Sequence, residues 1–276
     1  MAKRKSMRAI GLILSNVTND FSGYLMEQME RQFTANGYKL IVTTTNRSVA
    51  SERDMLKMFG QITDGILIIS DAISYEELAD SVPDHIPVIF LNRKPLGCPH
   101  TCIIENNYAA VFQAVLSNAT SGHDKIALVC SNRELSTTKE IVSAYKSAME
   151  STEAGFHEDW IYYTGVDVPV DPKALISDIK AKGCHAILTG TQTLTRKFWD
   201  HLLVCDSHNL NPLTLIGFSN KNSDSQSLLN FDTIAQPLQE LTELSVQQML
   251  YLIHNPETLA HEYFLRGTLR THTLNH

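Results

Sequence analysis

The sequence predicts an α/β fold of two doubly wound parallel-sheet subdomains. Three observations carry that prediction. Apolar, strand-like runs alternate with amphipathic, helix-like runs from Arg8 to Ser219. Some of those strands, DGILIIS (64–70) above all, are apolar almost without break, as expected of strands covered on both faces. The alternation also passes through two rounds of similar size with no Pro/Gly/Ser-rich linker between them, which suggests that the halves share connections. Parallel strands need long crossovers, and the intervening helices supply them.

Taken in order, RAIGLIL (8–14) is the first strand. A helix at about 20–35 follows, with Phe21, Leu25, Met29 and Phe33 at helical spacing, and Gly37 stops it. KLIVTTT (39–45) is the second strand. The next helix puts Met55, Met58, Phe59 and Ile62 on one face. DGILIIS follows, then a short helix near 74–80, then PVIFLN (87–92) and TCIIE (101–105). The second round opens with a helix at about 107–120 carrying Val111, Val115 and Leu116. Next come the strand KIALVCS (125–131) and a helix at about 137–150 with Ile141, Tyr145 and Met149. DWIYYTG (159–165), a helix stopped by Gly183, HAILTG (185–190), a helix at about 193–206 and LTLIGFS (213–219) complete the alternation.

With 276 residues and 43% hydrophobic content, the chain has enough material for one large or two medium cores. Its apolar runs fall short of the roughly 18 residues that span a bilayer. MAKRKSMRAIGLIL places basic residues before an apolar stretch. That stretch is shorter than the roughly 7–15 residues of a signal core, and no small-residue cleavage site follows, so it reads as a lead into the first strand. A formal charge of −7 argues against DNA binding by this chain itself, since phosphate contacts need concentrated Lys and Arg. The five cysteines (Cys98, Cys102, Cys130, Cys184, Cys205) have no framework spacing; free thiols in or beside apolar runs suggest a reducing, cytoplasmic location. CPHTC (98–102) gathers two thiols and an imidazole. A metal site would need a fourth ligand, and a loop entering a strand is the plainer reading.

Polar segments cluster where the strands end: SNVTND (15–20), TTTN (43–46), ENN (105–107), SNREL (131–135), GTQT (190–193) and FSNKNSD (218–224). In open parallel sheets, ligands bind beyond the carboxyl ends of strands at a topological switch point. Polar lips from both halves describe a cleft. Each segment taken singly reads more readily as a helix cap, because Asn, Asp, Ser and Thr favour helix starts; six together at strand ends make that reading less convincing.

The stretches IGLILSNVTNDFSGYLMEQMERQFTANGYKLIV, SERDMLKMFGQITDGILI, IPVIFLNR, SGHDKIALV, LTLIGFSN, DTIAQPL and LRGTLRTHTL, in this order and spacing, resemble the effector-binding core of LacI/GalR-type transcription regulators, which is periplasmic-binding-protein-like (type I). The resemblance runs from Arg8 to Thr273. It implies three crossovers, near Asn107, Gln236 and Arg266, and hence subdomains 8–106 plus 237–265 and 107–236 plus 266–276. It also implies a ligand between the subdomains, closure by a hinge motion and a twofold homodimer. Methionines Met26, Met29, Met55 and Met58 would be adaptable contacts in such a dimer, or core. Operator DNA would be read only through a helix-turn-helix headpiece absent from this chain, with MAKRKSM as a linker remnant.

The resemblance carries into the pocket unevenly. Asn19, Asp20 and Phe21 stand where the family has an Asn-Pro-Phe ligand contact. Thr137 matches a hydroxyl donor, and Ile141 falls where the family has a sugar-clamping arginine, with Arg133 and Lys139 as nearby cations. Asn106 and Asn107 replace an Asp-Asn pair, Thr191 and Gln192 replace Asn-Asp, and Ser219 replaces an aspartate, while Gln236 is retained. Charged groups have become neutral ones, which weakens charge-assisted discrimination. The implied function is a bacterial regulator's ligand-sensing core, taking a small polar effector such as a sugar or sugar phosphate. The alternatives are a solute-binding protein of a sugar transporter, or a core whose ligand binding is altered or lost. No enzyme motif of the G-x-G-x-x-G, P-loop, H-E-x-x-H or G-x-S-x-G type is present, so neither catalytic residues, nor a cofactor, nor a metal is expected.

Overall fold

A computed structural model describes residues 7–17, 19–165, 170–205, 213–220 and 231–272. Thr18, the basic lead at 1–6 and much of FSNKNSD therefore lie outside the described residues. The chain divides into two compact units, Met1–Glu105 with Leu238–Leu265 and Asn106–Pro237 with Arg266–His276.

The N-terminal unit holds β1 (Ala9–Leu14), α1 (Asp20–Ala35), β2 (Lys39–Thr44), α2 (Val49–Ile62), β3 (Gly65–Ile68), β4 (Val88–Leu91) and β5 (Thr101–Asn106, whose last residue belongs to the other unit). The C-terminal unit holds α3 (Tyr108–Thr120), β6 (Ile126–Cys130), α4 (Ser136–Met149), β7 (Ile161–Tyr163), α5 (Pro172–Ala181), β8 (Ala186–Thr189), α6 (Gln192–Cys205), β9 (Thr214–Asn220) and β10 (Asp232–Gln236). The chain then returns through α7 (Leu238–His254) and β11 (Glu262–Arg266) to the first unit and ends on β12 (Thr268–Arg270) in the second.

The first sheet runs β11-β5-β4-β3-β1-β2 and the second β12-β10-β9-β8-β6-β7. Pairing is parallel from β2 through β5 and from β7 through β10, whereas β12 is antiparallel to β10. In both sheets the first strand is flanked by the second and third of its round. The topological switch points therefore fall between β1 and β3 and between β6 and β8, and ligands of such sheets bind at the carboxyl ends there. β1, β3, β4, β6 and β8 are buried along their whole length, which is why they read as unbroken apolar runs.

Three helical expectations change. The short helix near 74–80 is two 3₁₀ turns, Tyr75–Glu77 and Ala79–Ser81; Ser74 and Glu77 form a capping box too short to propagate. In α1 the buried face is Ser22, Leu25, Met29 and Phe33, and Phe21 is only half-buried. In α2 the buried face is Glu52, Leu56, Phe59 and Gly60, while Met58 and Ile62 are exposed. The cause is a close approach: a Cβ on Gly11 of β1 would lie 2.2 Å from the Phe59 ring, so the missing side chain there seats Phe59 and rotates Met58 outward. The α4 expectation holds, with Ile141, Tyr145 and Met149 all buried. CPHTC is a loop running into β5.

Candidate functional site

At the carboxyl edge of the first sheet, β1 leads into Ser15 and Asn16, β3 through Ile69 into Ser70 and Asp71, and β4 into Asn92 and Arg93. Asn92 takes a left-handed φ of 60°, a conformation Asn tolerates, and so turns the chain directly after the strand. Glu52, fully buried on α2, anchors the edge. It accepts from the Ser70 hydroxyl at 2.5 Å and from the Asp71 backbone N–H at 2.7 Å. Arg93 Nη1 pairs with Asp71 Oδ1 and reaches Ser15 Oγ at 3.4 Å. Burial pushes the Glu52 carboxyl up to about 7, against the lowering effect of its two hydrogen bonds. Asp71 Oδ2 and Arg93 Nε are buried without a hydrogen-bond partner, although the two side chains bond each other through their other atoms.

Asn19 is the N-cap of α1. Its Oδ1 accepts from Ser22 N–H at 2.8 Å, and its Nδ2 donates to Asn16 Oδ1 at 3.0 Å. The capping side of the sequence reading is thus realised for Asn19. Asp20 opens the helix and is exposed; Phe21 packs half-buried against the core of this unit.

At the carboxyl edge of the second sheet the described side chains at the ends of β8 and β9 are neutral where those after β3 and β4 are ionic. Thr191 caps α6 by accepting from Leu194 N–H at 3.2 Å. Gln192, the first residue of α6, has its Oε1 buried without a hydrogen-bond partner, and so has Ser219 Oγ near the end of β9. Gln236 ends β10 half-buried. Asn106 ends β5 and accepts from Tyr108 N–H at 3.2 Å. The neighbouring Asn107 donates its N–H to Glu140 at 2.6 Å and leaves its own Oδ1 buried without a hydrogen-bond partner. Burial raises the Glu140 carboxyl above its usual range, partly offset by its bonds to the Asn107 and Tyr108 backbone. Thr137 is half-buried at the start of α4, beside Thr138, whose hydroxyl meets that of Ser131 at 3.0 Å.

The position of the family's arginine is not an empty place in the edge: Ile141 is core, packed within the apolar cluster of its unit. Of the two neighbouring cations, Arg133 lies over the Tyr163 ring at 4.7 Å, and Lys139 pairs with Glu134 at 3.0 Å on the surface. Asp71 and Arg93 were missed as site residues. Their signal was present all the same, because each directly follows the polar or left-handed residue that ends an apolar run, GILIIS-D and PVIFLN-R.

Among the described residues no group of three or more His, Cys, Asp or Glu is placed to hold a metal, and no helix is long and apolar enough to cross a membrane. The arrangement offers hydrogen-bond donors and acceptors at strand ends.

The family described as periplasmic binding proteins and sugar binding domain of LacI family matches residues 7–176. The repressor PurR of Vibrio vulnificus is 26% identical over 162 residues, covering 58% of this chain and 48% of that protein. The chain thus spans about half the length of the curated relatives it matches first. The ribose operon repressor of Haemophilus influenzae is 21% identical over 259 residues, 92% of this chain and 77% of the relative. Two solved structures show the same fold. A putative ribose operon repressor from Burkholderia thailandensis has a TM-score of 0.83 at 19% identity, with 96% of this chain and 100% of that one covered. The Cra regulator from Pseudomonas putida, in complex with fructose 1-phosphate, has a TM-score of 0.80 at 19% identity, with 97% and 100% covered. The chain belongs to the family of periplasmic binding proteins and LacI-family sugar-binding domains.

Proposed function

We propose that this chain is the effector-sensing, dimerising core of a LacI-type transcriptional regulator, with a small polar ligand of the sugar or sugar-phosphate class. The observation that carries the ligand reading is the set of buried polar atoms left without a hydrogen-bond partner at strand ends: Asp71 Oδ2, Arg93 Nε, Gln192 Oε1 and Ser219 Oγ. A buried polar atom without a partner costs about 1–3 kcal/mol, so four at the ligand-binding edges of two doubly wound sheets support a role for a bound partner. The proposed contacts are Asn19, Asp20, Phe21, Asn106, Thr137, Thr191, Gln192, Ser219 and Gln236, to which Asp71 and Arg93 are added. Fructose 1-phosphate in a relative of the same fold supports the ligand class, and the repressor relatives support regulation over transport. Operator recognition on this reading belongs to a headpiece outside these residues, and the site of action is the cytoplasm.

Thermal-shift titration with free sugars, sugar phosphates and nucleobases tests the reading. One class should raise the melting temperature in a concentration-dependent way. Ser219→Ala and Gln192→Ala should weaken that ligand without lowering the unliganded melting temperature. If no compound of the three classes shifts the melting temperature, effector sensing is overturned. Sedimentation of a dimer at micromolar concentration is expected; monomer alone would remove the dimerising role.

A further inference from the structure

Away from the polar edges, the loop between Arg93 and β5 brings two thiols together. Cys98 N–H donates to the Pro95 carbonyl at 3.2 Å, and Gly97 takes a φ of 75° between them, as the third position of a type II turn requires. Four residues on, Cys102 is the second residue of β5, and its N–H is fixed by the His261 carbonyl at 3.0 Å. The turn is tied down as well. Leu96 N–H donates to the Ile73 carbonyl at 2.8 Å, the Leu96 carbonyl accepts from Tyr75 N–H at 2.9 Å, and Tyr75 Oη meets His100 Nε2 at 2.7 Å. Both sulfurs therefore sit on fixed backbone. Cys102 Sγ is 3.8 Å from Cys98 Sγ and 3.3 Å from the His100 carbonyl oxygen.

The two thiols are unequal. Cys98 is partly exposed, whereas Cys102 is buried. The hydrogen bond from the Cys102 thiol pulls the Cys98 thiol below its usual range against the opposing effect of burial, helped by a bond to the His100 backbone and then by the Lys94 ammonium; Cys102 is pushed up by that same Cys98–Cys102 bond and by burial. Glu262, which pairs with Lys94, acts weakly against both thiolates. Cys130 and Cys184 are buried, with thiols raised to about 12 and about 11.

We propose that Cys98 and Cys102 are a peroxide-reactive thiol pair that closes reversibly into a disulfide, with Cys98 as the attacking sulfur and Cys102 as the resolving one. The Cys98 thiolate attacks an oxygen of hydrogen peroxide, the O–O bond breaks, and the departing hydroxide takes up the proton Cys98 released. Cys98 is now a sulfenic acid, and one water has formed. Cys102 sulfur then attacks Cys98 Sγ, the S–O bond breaks, and the hydroxide leaves with the Cys102 proton as a second water. Two thiols and one peroxide become one disulfide and two waters. Closure to about 2.05 Å requires the sulfurs to approach, which rotation of the turn-borne Cys98 side chain supplies. A dithiol reductant reverses it by exchange.

The test is peroxide treatment of the folded chain followed by peptide mass spectrometry. In wild type the peptide holding both residues should lose the mass of two hydrogens and regain it with dithiothreitol, ahead of any change at Cys130 or Cys184. In Cys102→Ser, dimedone should label Cys98; in Cys98→Ser, Cys102 should stay unlabelled. If the wild-type peptide keeps both thiols while Cys130 or Cys184 oxidises, or if wild-type Cys98 stops at a dimedone adduct, the proposal is overturned. The wild-type measurement does not depend on either variant folding.

Discussion

The two carboxyl edges solve the same topological problem with different chemistry. In the N-terminal unit a buried ionic chain runs from Glu52 through Ser70 and Asp71 to Arg93 and Ser15. In the C-terminal unit the matching places are filled by Thr191, Gln192 and Ser219, and the nearby cations Arg133 and Lys139 are engaged by Tyr163 and Glu134. A substitution pattern read from the second edge alone, with charged groups becoming neutral, therefore describes half of the protein. The first edge carries a buried ion pair, Asp71 with Arg93, and Glu52 holds the Asp71 backbone beside it.

The largest effect is expected from forcing the second edge to resemble the first. Ile141→Arg would put a guanidinium into the apolar core of its unit. It should cost about 3–5 kcal/mol in denaturant unfolding, the scale of an unpaired buried charge. Tolerance of the change would show that the side chain reaches the edge after all.

Glu52→Gln probes the ionic edge through pH. The folded carboxyl is raised from 4.5 to about 7, so the folded state keeps a proton that the unfolded state has already lost. That contribution is fully present below about 4.5 and is lost as pH rises through about 7, amounting to about 3 kcal/mol in total. The stability of wild type relative to Glu52→Gln should fall by that order between those pH values and level off above them. A flat difference would mean that burial does not raise the Glu52 carboxyl over the lowering effect of its bonds to Ser70 and Asp71.

Gly11→Ala should act on the same edge from a distance. The added Cβ lies 2.2 Å from the buried Phe59 ring and would push away the helix that carries Glu52. A loss of about 1–3 kcal/mol is expected from such overpacking. Phe21→Ala is smaller, because the ring is half-buried: about 1–2 kcal/mol, below the roughly 3–5 of a full core phenylalanine. The smallest stability effect belongs to Ser219→Ala. Its hydroxyl is buried without a hydrogen-bond partner, so removal should be neutral or stabilising by about 1 kcal/mol.

Much of the fold was legible residue by residue. Periodicity is a local signal, and β1, β3, β6 and β8 are apolar because both faces are covered. The Asn19 cap, one of the two readings its segment allowed, and the Ile141–Tyr145–Met149 stripe depend on neighbours within a turn or two, and the structure shows both. The elements beyond Ser219, namely β10, α7, β11 and β12, were not resolved individually.

What the sequence by itself determined is therefore the alternation of elements and the polar character of the strand ends, which follow from residues close together in the chain, and the family, which follows from the order of many short stretches along it. Only the tertiary structure decided which way α2 turns, because that depends on the space above Gly11, 48 residues from Phe59. It likewise decided that Asp71 meets Arg93, 22 residues on, and that Glu52 supports Asp71 from 19 residues away. A buried ion pair needs both partners at one strand edge at once, and that coincidence is created by the parallel order of β1, β3 and β4 rather than by any spacing along the chain.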